Sequence, residues 1–140
     1  MVSKLITTMK DPVPLNFFRY RIEFIHEGVC FLEGEQPVRA AVGFISSGPD
    51  QTAVNEAMSM FKKINFPAAA FFLDSEMPFP AKALEAFAEK VCKIVVIESG
   101  ATLLLTKMVI EKTWINPVAM VPPHGGLISA WDIFEKEDWN

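Results

Sequence analysis

The sequence predicts an α/β fold: a three-layer α/β/α sandwich around a mainly parallel sheet, with an N-terminal β-hairpin-like extension. Two observations carry this expectation. From residue 37 onward, short and almost wholly apolar runs alternate with amphipathic helical segments. That is the pattern of strands buried on both faces and joined by right-handed helical crossovers. Before residue 37 the pattern differs: Arg19-Tyr20-Arg21-Ile22-Glu23-Phe24 alternates polar and apolar residues, the period-two signature of a half-buried strand. The 140 residues therefore divide into an extension, 1–36, and an α/β domain, 37–140.

In chain order, Asp11-Pro12-Val13-Pro14 is an extended, turn-prone entry. Residues 19–24 form a strand, His26-Glu27-Gly28 a turn, and 29–32 a short return strand. Residues 38–45 are an apolar run suited to a strand covered on both faces. Ser46-Ser47-Gly48-Pro49-Asp50 then supplies turn and N-cap chemistry. In the helix that follows, Val54, Ala57, Met58, Phe61 and Ile64 share one face. Residues 67–73 (PAAAFFL) are a second buried strand, closed by Asp74-Ser75.

Pro80 suits the first turn of the next helix. There Leu84, Phe87, Ala88 and Val91 form the apolar face, while Lys82, Glu85 and Glu89 face water. Residues 93–98 (KIVVIE) are a third strand. A third helix spans 101–112, with Ala101, Leu104, Leu105 and Met108 on one face and Leu103, Val109 and Ile110 widening the stripe. Residues 117–121 make a fourth strand, Pro122-Pro123-His124-Gly125-Gly126 a rigid turn, and 129–137 a short closing helix.

Composition narrows the function classes. Apolar residues make up 51%, charged residues 21%, and the mean hydropathy is +0.25, which rules out disorder as the main state. The apolar excess points to a surface covered by another chain. A net charge of −4 argues against a sequence-independent nucleic-acid binder. All three arginines (Arg19, Arg21, Arg39) precede residue 41, so bidentate clamping of a phosphate or carboxylate beyond it must use lysines or backbone amides. Cys30 and Cys92 sit among apolar neighbours and read as buried free thiols, with no CxxC or Cys/His spacing for a metal or iron–sulfur cluster. The N-terminus lacks the apolar core of a signal peptide. The charge-free run 113–131 is broken by prolines and glycines, so it is no membrane span. These features place the protein in the cytoplasm, with neither nucleic acid nor membrane as a partner.

In a parallel sheet, ligands bind beside the strands' C-terminal ends. The candidate ligand edge comprises Ser46, Ser47, Gly48, Glu98, Ser99 and His124, with Asp74 nearby in the pattern. An acid/base constellation can be drawn from these residues, and each also has a structural reading. Ser46, Ser47 and Asp50 suit a helix N-cap, and Asp74-Ser75 suits a turn. Glu98, ending a buried strand, suits acceptance of amide hydrogen bonds at a helix start. His124 and His26 suit exposed turns. The loop at 46–49 lacks both GxGxxG and GK[ST] spacing, and there is no GxSxG elbow. No catalytic residue and no metal ligand is assigned.

A family pattern does emerge. A buried strand ending in Gly-Phe-Ile-Ser-Ser-Gly-Pro (43–49) leads into Thr52-Ala53-Val54-Asn55-Glu56-Ala57. Met77-Pro78-Phe79-Pro80, a helix, and Lys93-Ile94-Val95-Val96-Ile97-Glu98 follow. In order and spacing this resembles the transketolase C-terminal-like domain of 2-oxoacid:ferredoxin oxidoreductases, the domain after the pyrimidine-binding domain of the alpha subunit. The resemblance covers residues 38–126. It implies a module that supports assembly of a thiamine-diphosphate enzyme without performing its chemistry. Ser46, Ser47 and Gly48 match the loop after the first strand, Pro78 and Pro80 the helix start, and Glu98 the carboxylate ending the later strand; none is catalytic by that analogy. There is no GDG…NN diphosphate–magnesium motif and there are no cluster cysteines. The chain is therefore expected to bind no cofactor alone, with thiamine diphosphate and iron–sulfur clusters held in partner subunits. Two functions follow: a non-catalytic association domain, as a homo-oligomer or with partner oxidoreductase subunits, or a small-molecule-binding or enzymatic α/β protein using the strand edge. Exchange of the N-terminal hairpin between protomers is a further possibility, because a two-stranded hairpin is marginal alone.

Overall fold

The structure, a computed structural model, describes residues 18–25, 39–100, 102–123 and 125–136. Five strands, β1 (Tyr20–Phe24), β2 (Val42–Ser47), β3 (Ala68–Leu73), β4 (Ile94–Ile97) and β5 (Val118–Met120), form one sheet in the order β1-β3-β2-β4-β5. The pairs β2–β3, β2–β4 and β4–β5 are parallel, and β1 runs antiparallel to β3. Helices α1 (Asp50–Lys63), α2 (Ala81–Ala88) and α3 (Leu104–Lys112) are the crossovers, and α4 (Ala130–Phe134) follows β5.

The apolar runs explain the layering. β3 and β4 are buried along their whole length, so both faces need cover. On one face Val54, Ala57 and Phe61 of α1 and Ile133 of α4 pack on Val42, Phe44, Phe72, Val95 and Ile97. On the other, Leu84 and Phe87 of α2 and Leu105 and Val109 of α3 pack on Ile45, Phe71, Leu73 and Val96. The chain reverses direction across the sheet after β3, so right-handed crossovers put α1 on one face and α2 and α3 on the other. The three-layer α/β/α expectation is met.

Gly43 sets how closely α2 approaches. A Cβ there would lie 2.8 Å from the Phe87 ring and 3.0 Å from Val91, so only the smallest residue lets the ring seat on β2. Asp50 in the first turn of α1 and Lys62 and Lys63 in its last complement the helix dipole. In α4, Asp132 N–H donates to Ser129 Oγ and Ser129 N–H to Asp132 Oδ2, both at 3.1 Å, a reciprocal capping box.

Several expectations shift. β2 runs on to Ser47, so Ser46 and Ser47 are strand residues paired with Phe72 and Leu73 rather than turn residues. Pro49 takes the N-cap position of α1. Ile64 becomes the C-cap residue of α1 and is 60% exposed. Helix α2 ends at Ala88, and Val91 instead makes a parallel bridge with Ala40, still buried against Gly43. With Val91 turned inward in extended chain, the next side chain turns outward, and Cys92 is exposed, not buried. Helix α3 starts only at Leu104, after Leu103 in the left-handed region at φ 54°. Its buried face is Leu105, Thr106 and Val109, leaving Leu104 and Ile110 exposed. Helix α4 is shorter than the expected 129–137.

The expected strand at 19–24 forms as β1, and it joins the main sheet along β3. Its proposed return strand, 29–32, lies outside the described residues, as do the entry at 11–14, His26, Cys30, Ala101 and His124.

Candidate functional site

The strand order places a topological switch point between β2 and β4: the chain leaves β2 for β3 on one side and returns past it to β4 on the other. In such sheets the crevice beyond the C-terminal ends at that point is where ligands bind. Here it is bordered by Ser46, Ser47, Gly48 and Asp50 from the β2–α1 connection and by Glu98 and Ser99 after β4.

Glu98 is 8% exposed, and its carboxylate is engaged by the start of α3. Leu105 N–H donates to Oε1 at 2.9 Å, Thr106 N–H to Oε2 at 2.8 Å, and the Thr106 hydroxyl to Oε2 at 2.5 Å. The first amides of a helix have no partner inside it, and α3 has no side-chain cap of its own. Glu98 therefore caps it from the preceding strand, placing negative charge at the positive end of the helix dipole. The capture of the Leu105 and Thr106 amides fixes where the helix begins and rotates its buried face away from the one expected.

Ser99 joins three segments. Its hydroxyl donates to Asp50 Oδ1, its N–H donates to Asp50 Oδ2 at 3.1 Å, and its Oγ accepts Ile128 N–H at 2.9 Å. The crevice between α1 and the end of β4 is thus spanned by the protein's own bonds. Ser47 Oγ donates to Glu76 Oε2 at 3.2 Å, and Gln51 Nε2 donates to Leu73 O at 2.9 Å. Gly48 takes φ +59°, which lets the chain turn sharply from strand to helix. Ser46 is fully buried, and its Oγ has no hydrogen-bond partner among the described residues.

The structure thus brings Ser46, Ser47, Gly48, Glu98 and Ser99 to one end of two adjacent strands. Asp74 is not among them: it follows β3, it is exposed, and its N–H donates to Arg19 O on the β1 side. Asp50, Glu76, Thr106 and the Ile128 amide are the partners the sequence did not disclose. The signal available was weak: a carboxylate at a buried strand end followed, within the first turn of a helix, by a threonine. Asp50 reads locally as a cap, and its true partner lies 49 residues away.

Chemically, the arrangement ties loops together. Glu98 spends both oxygens on donors fixed in the chain, and the Ser99 hydroxyl both gives and accepts. Among the described residues no group of three or more His, Cys, Asp or Glu side chains clusters as a metal site would require. Two surface grooves of about 370 Å³ lie at the opposite edges of the sheet, one between β1 and α1 and one between β5 and α4. Neither is lined by a switch-point residue. No described helix is long and apolar enough to cross a membrane.

The class defined by this architecture is a doubly wound α/β sandwich with an antiparallel edge strand. No protein-family model matches the chain, and no curated protein matches it in sequence. Among solved structures it is similar to 2-oxoglutarate:ferredoxin oxidoreductase from Magnetococcus marinus, with 2-oxoglutarate, coenzyme A and succinyl-CoA bound. The TM-score is 0.70 at 21% identity, over 86% of this chain and 19% of that one. The chain therefore shares the fold of a segment of that protein and spans less than a fifth of its length.

Proposed function

We propose that the chain is a non-catalytic structural or assembly domain related to the 2-oxoacid:ferredoxin oxidoreductases, mediating subunit association. The observation that carries this reading is the state of the switch point. Glu98, Ser99, Asp50 and Ser47, where a ligand would be held, are bonded to the protein itself. The fold likeness to a segment of a much larger oxidoreductase supports the same reading. So does exposed apolar surface at Leu104, Ile110, Trp114, Leu127 and Trp131, which is the kind of surface that partners cover. On this reading thiamine diphosphate and iron–sulfur clusters belong to partner subunits, and the assembly works in the cytoplasm.

The test is to isolate the tagged chain from its native host and assay the isolate for 2-oxoacid-dependent reduction of ferredoxin. Activity that tracks the chain and disappears when the co-isolated subunits are stripped away is the expected result. Turnover by the purified chain alone would overturn the proposal.

One observation favours a second reading, in which the strand edge binds a small molecule: Ser46 Oγ is buried and has no hydrogen-bond partner among the described residues. A thermal shift with coenzyme A, a 2-oxoacid, thiamine diphosphate or a nucleotide, lost in Ser46→Ala, would establish it through the mass-action stabilisation of a bound state.

A further inference from the structure

We propose that β1 is a two-fold docking edge for a second copy of this chain, pairing antiparallel with its counterpart about Ile22. This rests on the reading that the chain works in an assembly, and it names one partner and one surface. β1 is an edge strand, paired among the described residues with β3 alone. Its hydrogen bonding alternates. Asp74 N–H donates to Arg19 O and Ile25 N–H to Ala68 O, so the backbone groups of residues 19, 21, 23 and 25 face β3. Those of Tyr20, Ile22 and Phe24 face away from β3 and meet no other strand among the described residues.

The sequence of that edge is its own complement. In Tyr20-Arg21-Ile22-Glu23-Phe24, an antiparallel partner centred on Ile22 sets Arg21 opposite the second copy's Glu23, and Glu23 opposite its Arg21. Tyr20 falls opposite Phe24 of the second copy, and Ile22 opposite itself. The backbone alternation agrees with this register. Tyr20–Phe24, Ile22–Ile22 and Phe24–Tyr20 become the pairs that exchange N–H···O bonds, using the groups that face outward. Arg21–Glu23 falls at the intervening pairs, where side chains approach most closely. A two-fold contact must present one patch to itself, and opposite charges directly across an antiparallel pair are favourable where like charges are not.

The side chains are placed to be covered. Arg21 and Glu23 are 47% and 41% exposed and already touch each other along the strand. Tyr20, stacked on Phe71 at 5.0 Å, and Ile22 on the same face are about one-third exposed. Of the devices that keep an edge unpaired, Tyr20–Phe24 has no lysine, no proline and no break in its register with β3, and its two charges are of opposite sign, so a second copy meets them as complements.

Sedimentation velocity of the full chain over a wide concentration range tests the proposal with three variants. Ile22→Pro removes an outward N–H and none of the bonds to β3, so dimerisation is expected to be lost while the melting curve stays cooperative. Glu23→Arg sets arginine against arginine twice, and the dimer dissociation constant should rise about tenfold or more, given the usual worth of cross-strand pairs. The exchange Arg21→Glu with Glu23→Arg restores complementarity and should recover most of that loss; it decides the matter if Ile22→Pro fails to fold. A wild-type chain that stays monomeric, as it would if its own residues 29–32 occupied this edge, overturns the proposal. So does a dimer indifferent to Glu23→Arg, or one the exchange does not rescue. Partner subunits co-isolating with a monomeric chain would overturn this pairing alone, whereas a β1 dimer that captures no partner would overturn only the assembly reading.

Discussion

Replacing Glu98 by glutamine separates a structural carboxylate from a functional one. The substitution keeps the shape of the side chain and removes one acceptor oxygen. In the native site Oε1 takes Leu105 N–H, and Oε2 takes the N–H and hydroxyl of Thr106. If the amide oxygen of glutamine keeps the Thr106 donors, its NH₂ faces Leu105 N–H, donor against donor. Hydrogen bonds to a charged acceptor are worth about 1.5–3 kcal/mol, and an orphaned buried donor costs about 1–3 kcal/mol. One bond lost and two weakened amount to roughly 3 kcal/mol. For a chain of this length, the melting temperature should fall by roughly 10 °C. Urea denaturation followed by circular dichroism, with an unchanged m-value, gives the free-energy difference directly. Thr106→Val, which removes only the hydroxyl donor, should cost about 1 kcal/mol, and combined with Glu98→Gln the costs should fall short of additive because both act on one network. A Glu98→Gln protein as stable as wild type, or more stable, would refute the reasoning, since that is the behaviour of a carboxylate held for function at the expense of stability.

Other consequences follow from single contacts. Gly43→Ala should cost about 1–3 kcal/mol by overpacking against Phe87, and part of that loss should return with Phe87→Leu, as read by a double-mutant cycle of urea midpoints. Ser129→Ala removes the acceptor for Asp132 N–H and should lower stability by about 1 kcal/mol. Ser46→Ala deletes a buried hydroxyl that has no partner among the described residues, so stability should hold or rise by up to about 1 kcal/mol; a clear loss would mean that the hydroxyl is satisfied.

The parallel core was legible because burial on both faces leaves a local mark. The runs at 67–73 and 93–98 are almost wholly apolar, and they become β3 and β4 with little change. The helix boundaries were less so, because they depend on partners distant in sequence. The role of Glu98 as acceptor for amides at a helix start was legible from its place at the end of a buried strand, and it is met; which two amides it takes was not, and that choice sets the start of α3 and its buried face. Val91 repeats at helical spacing with Leu84 and Phe87, but pairing with Ala40 draws it out of the helix. Cys92, next to the inward-turned Val91 in that extended chain, points outward. At the switch point the residue types and the helix-start role of Glu98 were visible, and the longer-range bonding was not: Asp50 passes for a cap until the fold brings Ser99 against it. β1 was read correctly as a strand from its alternation, whereas its place beside β3 is a matter of topology that period alone does not encode.

The central claim is that the chain associates and does not catalyse, and native mass spectrometry of the tagged chain drawn gently from its own host tests it most directly. The expected spectrum contains the chain in fixed stoichiometry with subunits that carry thiamine diphosphate. A spectrum of the chain by itself, shifted in mass by a bound small molecule that Ser46→Ala abolishes, would contradict it.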